Sequence, residues 1–273
     1  MTKSAWGIWG FVLLSACLFN STAALSQALR PVRGVYDLKL NQDRDSGSID
    51  TASGRLVVEL VEDCGGFILN QGFITRITSG ETSEIIGNMQ ASVWESRDGR
   101  AMRFNVVNKI NSAVAEREQG RGDVHQGGAD AGSGLGVWQL PTTRELALPK
   151  GTLFPISYNR AVLRAALAGR RSFETTLFDG SNAAGFYYAS VFIGDKFGPK
   201  RAKRGKLLAN DLPSWPVRLA YFHHDSQIGT PEFEVGFTLY GDGVVDELML
   251  DYPDFSLIGR LVELQYLDQP NCD

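Results

Sequence analysis

Three cysteines, three histidines and a few paired carboxylates are the residues with the most chemistry to offer, and their spacing limits each set. Cys64 stands just before Gly65-Gly66, and Cys272 follows the final strand-like segment. In an oxidising compartment two such cysteines pair; the alternative is two separate free thiols. A bridge would close a loop of about 200 residues, which the chain-entropy view values at roughly 5 kcal/mol, and would pin the C-terminal strand onto an early hairpin. Cys17 belongs to a different context, Leu14-Ser15-Ala16-Cys17, which resembles a lipobox in which the cysteine is lipidated and becomes the mature N-terminus.

The other sets point to little catalysis. His223 and His224 are adjacent, so on a strand they face opposite ways and do not share one metal; with Asp225 they make no expected metal site. His125 borders a glycine-rich stretch and has no recognisable partner, and no Ser/His/Asp or Cys/His constellation assembles. Gly132-x-Gly134-x-Gly136 lacks both the spacing and the following helix of a nucleotide-binding turn. Asp246/Glu247 and Asp251/Asp254 are compatible with glycosidase chemistry, but acidic residues flanking exposed strands are ordinarily solvated. No catalytic residue, metal or cofactor is therefore expected. The strongest exposed charge is a basic loop at 196–206. Its plain reading is a solvated loop; its functional reading is contact by Lys200, Arg201, Lys203 and Arg204 with lipid headgroups or an acidic partner, at about 1 kcal/mol per residue.

The elements that would position these residues begin after an export signal. Lys3, an apolar run from Ala5 to Phe19 and a small-residue region predict a signal peptide over 1–28, cleaved after Ala24 or Ala28. A membrane anchor is the alternative, but the run is shorter than the roughly 20 residues a spanning helix needs. The remaining 29–273, about 245 residues, suffice for one large core and contain no further transmembrane segment. A net charge of −4 disfavours nucleic acid as a partner.

Period-two alternation dominates the rest. Tyr36, Leu38 and Leu40 oppose Asp37 and Lys39; Met102, Phe104 and Val106 oppose Arg103 and Asn105. Phe233, Val235, Phe237 and Leu239 oppose Glu232, Glu234 and Thr238, and Val262, Leu264 and Tyr266 oppose Glu263 and Gln265. Further strands are expected near 55–63, 66–78, 84–95, 113–120, 172–179, 185–194, 216–224 and 244–251. Asp98-Gly99, Asp179-Gly180 and Gly241-Asp242-Gly243 mark turns. Residues 120–136, with seven glycines, read as a loop. One helix is expected from Ser157 to Ala168, with Ser157 as N-cap and Gly169 at C′. Many strands with one mid-chain helix predict an all-β fold, a single antiparallel, strongly curved sheet with the helix covering an opening or packed on one face.

Several phrases in order resemble the envelope integrity protein B family of alphaproteobacterial periplasmic proteins. They are Gly34-Val35-Tyr36-Asp37-Leu38, Ser53-Gly54-Arg55-Leu56, Gly151-Thr152-Leu153-Phe154-Pro155, Phe178-Asp179-Gly180, Trp215-Pro216-Val217 and Pro231-Glu232-Phe233-Glu234, with Cys64 and Cys272. The resemblance implies a cup-like β-spiral of about fourteen strands around a central helix, like the periplasmic lipoprotein carriers. It also implies a Cys64–Cys272 disulfide and a non-enzymatic role in envelope integrity. The expected protein is periplasmic, or lipid-anchored through Cys17, and holds an apolar, lipid-like or peptide ligand in its cup. Its partner would be a periplasmic protein, a lipoprotein or a lipid. The rival readings are an envelope glycan or peptide hydrolase and a ligand-free interaction module using the basic loop.

Overall fold

The computed structural model describes residues 29–44, 49–80, 82–125, 133–181, 185–198, 212–225 and 229–272. The signal segment 1–28, with Cys17, and the basic residues Lys200, Arg201, Lys203 and Arg204 lie outside the described residues.

The chain runs first as an antiparallel meander: β1 (Val32–Leu40), β2 (Thr51–Glu62), β3 (Gly66–Ser79), β4 (Thr82–Ser96), β5 (Ala101–Ile110), β6 (Ala113–Val124), β7 (Gly134–Leu140) and β8 (Arg144–Leu148). A two-residue β9 (Thr152–Leu153) leads into the helix α1 (Pro155–Leu167). A second meander follows: β10 (Ser172–Leu177), β11 (Tyr187–Ile193), β12 (Ser214–His223), β13 (Phe233–Tyr240), β14 (Val245–Asp251) and β15 (Ser256–Tyr266). All fifteen strands form one sheet, because β1 pairs with β15 and joins the two meanders. The two outermost strands, β8 and β9, are consecutive in the chain, so the sheet curls into a nearly closed barrel whose seam is spanned by a short covalent link.

Alternation predicts the faces well where pairing is regular. Met102, Phe104 and Val106 are buried while Arg103 and Asn105 are exposed. It fails at bulges, where one extra residue turns the later side chains over. β1 and β15 shift register between Val35 and Tyr36, whose partners are Glu263 and Leu261. Leu261 is consequently buried and Val262, expected inside, is exposed. A second shift between Gly236 and Thr238 buries Thr238, whose hydroxyl donates to Glu247 at 2.9 Å.

The stretch read as a glycine loop is partly strand. Gly120 and Gly122 sit on β6, Gly134 and Gly136 on β7. Gly120, Gly122 and Gly136 leave clearance for the aromatic end of the core, and Gly134 for the β6 backbone at Asp123. Phe104, Trp138 and Phe178 meet edge to face with ring centroids 5.2 to 5.9 Å apart, and Phe154 lies 6.2 Å from Phe178. A Cβ on Gly122 would stand 2.8 Å from the Phe154 ring, and one on Gly136 would stand 2.8 Å from Phe178. Gly122→Ala is therefore expected to cost about 1–3 kcal/mol by overpacking, read as a lower urea midpoint at unchanged slope.

Candidate functional site

The helix that occupies the barrel starts two residues earlier than expected. Pro155, with its φ already near helical values, takes the first turn, and Phe154 is the N-cap without a side-chain capping bond. Ser157 is thus inside the helix, and the capping work is done from elsewhere. Glu95, on β4 and fully buried, accepts the amides of Ile156 at 2.8 Å and Ser157 at 2.9 Å, and also the Ser157 hydroxyl. A carboxylate here satisfies two orphan donors and meets the positive end of the helix dipole. Burial pushes Glu95 above the usual carboxylate range, opposed by its hydrogen bonds to Ser157 and Ile156 and by Arg160. At the other end Gly169, at φ +71°, donates to Ala166 and Arg170 donates to Ala165, closing a Schellman motif as expected of a C′ glycine.

Between this helix and the sheet lies a cavity of about 330 Å³. Ile156 and Val162 form its helix side; Val58, Leu219, Val235 and Phe237 are among its strand residues. Asn159, Gln71 and Arg30 add the few polar groups. It lies under β1–β3 and β12–β15, so the interior is packed with rings at one end and partly open at the other. Beside it Tyr158 and Tyr221 have ring centroids 6.3 Å apart, and burial pushes the Tyr158 hydroxyl up to about 12.

Of the carboxylates considered for hydrolysis, Asp246, Glu247 and Asp251 are engaged in holding strands. Asp246, buried, accepts the Leu261 amide at 2.9 Å, supplying a bond beyond the end of the β14–β15 ladder at Leu248 and Gly259. Asp251 pairs with Arg44 at 2.9 Å and Arg218 at 3.0 Å. Burial also raises Glu118 and Asp179, but Glu118 is coupled to Arg144 and Asp179 accepts the Ser181 amide at 2.9 Å. Among the described lining residues of the cavity there is no carboxylate.

Cys64 lies in the β2–β3 turn and Cys272 beyond β15; their sulfurs are 2.11 Å apart and their Cα atoms 5.5 Å apart, within reach of a disulfide. The C-terminal tail gets there across the start of β1, where Leu267 donates to Pro31 at 3.0 Å, and Gln269 then bonds Glu62 at 3.0 Å. Arg97 extends the connection inward. It bonds Glu62 at 2.6 Å and the Asp63 carbonyl at 2.8 Å, and Arg160 of the helix stacks on Phe67 at 4.0 Å beside it.

The histidines depart from expectation. β12 ends at His223, and the chain turns at His224 and Asp225, so strand alternation no longer separates the two rings. One ligand atom from each of His223, His224 and Asp225 lies within 4.8 Å of the others. His125 remains apart from any motif, at the end of β6, with its amide on Ser133. The nearest sequence signal for Glu95 was Pro155 itself, which announces a helix start without a capping side chain.

Fold and site together define a β-cup protein: a nearly closed sheet, antiparallel except where the two-residue β9 pairs with β10 in parallel, wrapped around one helix, with an apolar cavity between them. Among the described residues no helix is long and apolar enough to cross a membrane. The chain belongs to the EipB-like family, whose family model matches residues 23–268. It is 31% identical over 260 residues to the cell envelope integrity protein EipB of Brucella abortus (strain 2308), covering 92% of this chain and 89% of that one. It is also similar to the crystal structure of a beta-barrel-like protein of a domain of unknown function from Brucella abortus. That likeness has a TM-score of 0.77 at 28% identity and covers 88% of this chain and 99% of the other.

Proposed function

We propose that this chain is a non-enzymatic envelope protein that supports cell envelope integrity by holding an apolar, lipid-like or peptide ligand in its cup. In this reading residues 1–28 are removed on export, 29–273 act as one domain in the periplasm, and Cys64 and Cys272 are joined there. The observation that carries the ligand is the cavity of about 330 Å³ between α1 and the sheet, whose described lining is almost wholly apolar. Water gains few hydrogen bonds in such a space, whereas an apolar chain gains contact on every side. The name of the Brucella relative supports the envelope role.

The test fills the cup. Val235, half-buried on β13, points at the cavity, and Val235→Trp places an indole in it. Native mass spectrometry of wild-type protein from its own host is expected to show a non-covalent adduct that the variant lacks, both having the same circular dichroism spectrum. A strain lacking the gene should be sensitised to detergent and to cell-wall antibiotics, and rescued by wild type but not by Val235→Trp. Full rescue by the filled cup would sink the ligand reading, and unchanged sensitivity on deletion would sink the envelope role.

A further inference from the structure

We propose that His223, His224 and Asp225 bind a divalent transition ion of the zinc type at the end of β12. Two imidazoles and one carboxylate form a donor set that suits such ions, and they leave a fourth tetrahedral position for water. The turn after β12 already brings one ligand atom of each residue within 4.8 Å of the others. Tetrahedral bonds of about 2.0–2.1 Å put ligand atoms roughly 3.3 Å apart, so small side-chain rotations complete the site.

His224 carries the argument furthest. Its Nδ1 is buried and has no hydrogen-bond partner among the described residues, a state that is destabilising if nothing occupies it. The ring is nevertheless held in place. Phe186 packs on it with centroids 4.5 Å apart, and the His224 amide donates to the Phe186 carbonyl at 3.3 Å. Gly185, at φ +148°, passes so close that a Cβ there would lie 2.7 Å from His224 Cε1 and 3.0 Å from Nδ1. His223 already contacts the Asp225 carboxylate and packs against Tyr187. That contact accounts for His223 and Asp225 without a metal, but it leaves His224 unexplained. The same Gly185 Cβ would also lie 2.9 Å from Leu146 on β8, so the site stands beside an outer strand of the seam.

Untagged, chelator-treated full-length mature protein is titrated with ZnCl2 by calorimetry and with CoCl2 by visible absorption. One equivalent of zinc and a tetrahedral cobalt spectrum are expected. His224→Ala and Asp225→Asn should each weaken zinc binding by more than about 10-fold, the scale seen when only a residue orienting a ligand is lost. His125→Ala should leave it unchanged, and zinc should raise the melting temperature of wild type and His125→Ala alone. Asp225→Asn keeps volume and turn-forming capacity, so it remains informative if His224→Ala folds poorly. Absence of saturable binding, binding that persists in both site variants, or equal loss in His125→Ala overturns the proposal.

Discussion

Cys64→Ser is expected to lower the unfolding free energy by about 5 kcal/mol, and Cys272→Ser by the same amount, because either change opens a loop whose ends are 208 residues apart. The double variant should be no less stable than either single one, since both remove one bond. Urea unfolding with and without reductant checks this: reductant should reproduce the loss in wild type and change none of the variants. Additive losses, or a reductant effect in a variant, would show that the two thiols act separately. The loss falls on a particular junction. The bridge spans β15, β1 and β2, and the β1–β15 pairing is the hydrogen-bonded link between the two meanders. Without it, the tail keeps the Leu267–Pro31 bond and the exposed Gln269–Glu62 bond among the described residues, and the Arg97 network loses its outer anchor.

Glu95→Ala should cost about 3–5 kcal/mol, because it strands the buried Ile156 amide and the partly buried Ser157 amide, at about 1–3 kcal/mol each, and leaves a cavity where the carboxylate was. Glu95→Gln should cost less, since its single amide oxygen can still accept one of them. The pH dependence separates the charge from the shape. Burial raises Glu95 above its ordinary 4.5, so the folded state keeps this proton when the unfolded chain has released it. The corresponding stability is fully present below the unfolded value and is lost as pH rises through the folded one. The advantage of wild type over Glu95→Gln should therefore be larger at about pH 4 than at about pH 7. A constant difference across that range would show that Glu95 holds the helix in a single protonation state.

Much of this architecture is legible in the residues. Alternation on β1 and β5, glycines at positive φ after Asp98, Asp179 and Asp242, and the helix end at Gly169 all follow from local rules. The illegible parts depend on neighbours distant in the chain. Alternation cannot foresee the bulge that exposes Val262, because the slip is defined by pairing with β1. Glycine-rich β6 and β7 resemble a loop until Phe154 and Phe178, far along the sequence, arrive to fill the space. Glu95 reads as one more acid on an amphipathic strand, and only the packed helix reveals it as a cap from 61 residues away. Its cup is likewise a property of what the helix fails to fill. Strand periodicity puts His223 and His224 on opposite faces, but β12 ends at His223, one residue too soon for that rule to hold.

The placement of Cys272 after β15 also makes the bridge a record of completion. Between residues 29 and 273 only Cys64 and Cys272 carry thiols, so Cys64 has no wrong partner within this span and simply waits. Its partner emerges only after every strand of both meanders has been made. An oxidised molecule has thus been synthesised through its last strand, and a truncated one keeps a free thiol at the β2–β3 turn. That difference is chemical and exposed, so a thiol-alkylating reagent separates finished from truncated chains without reference to the fold.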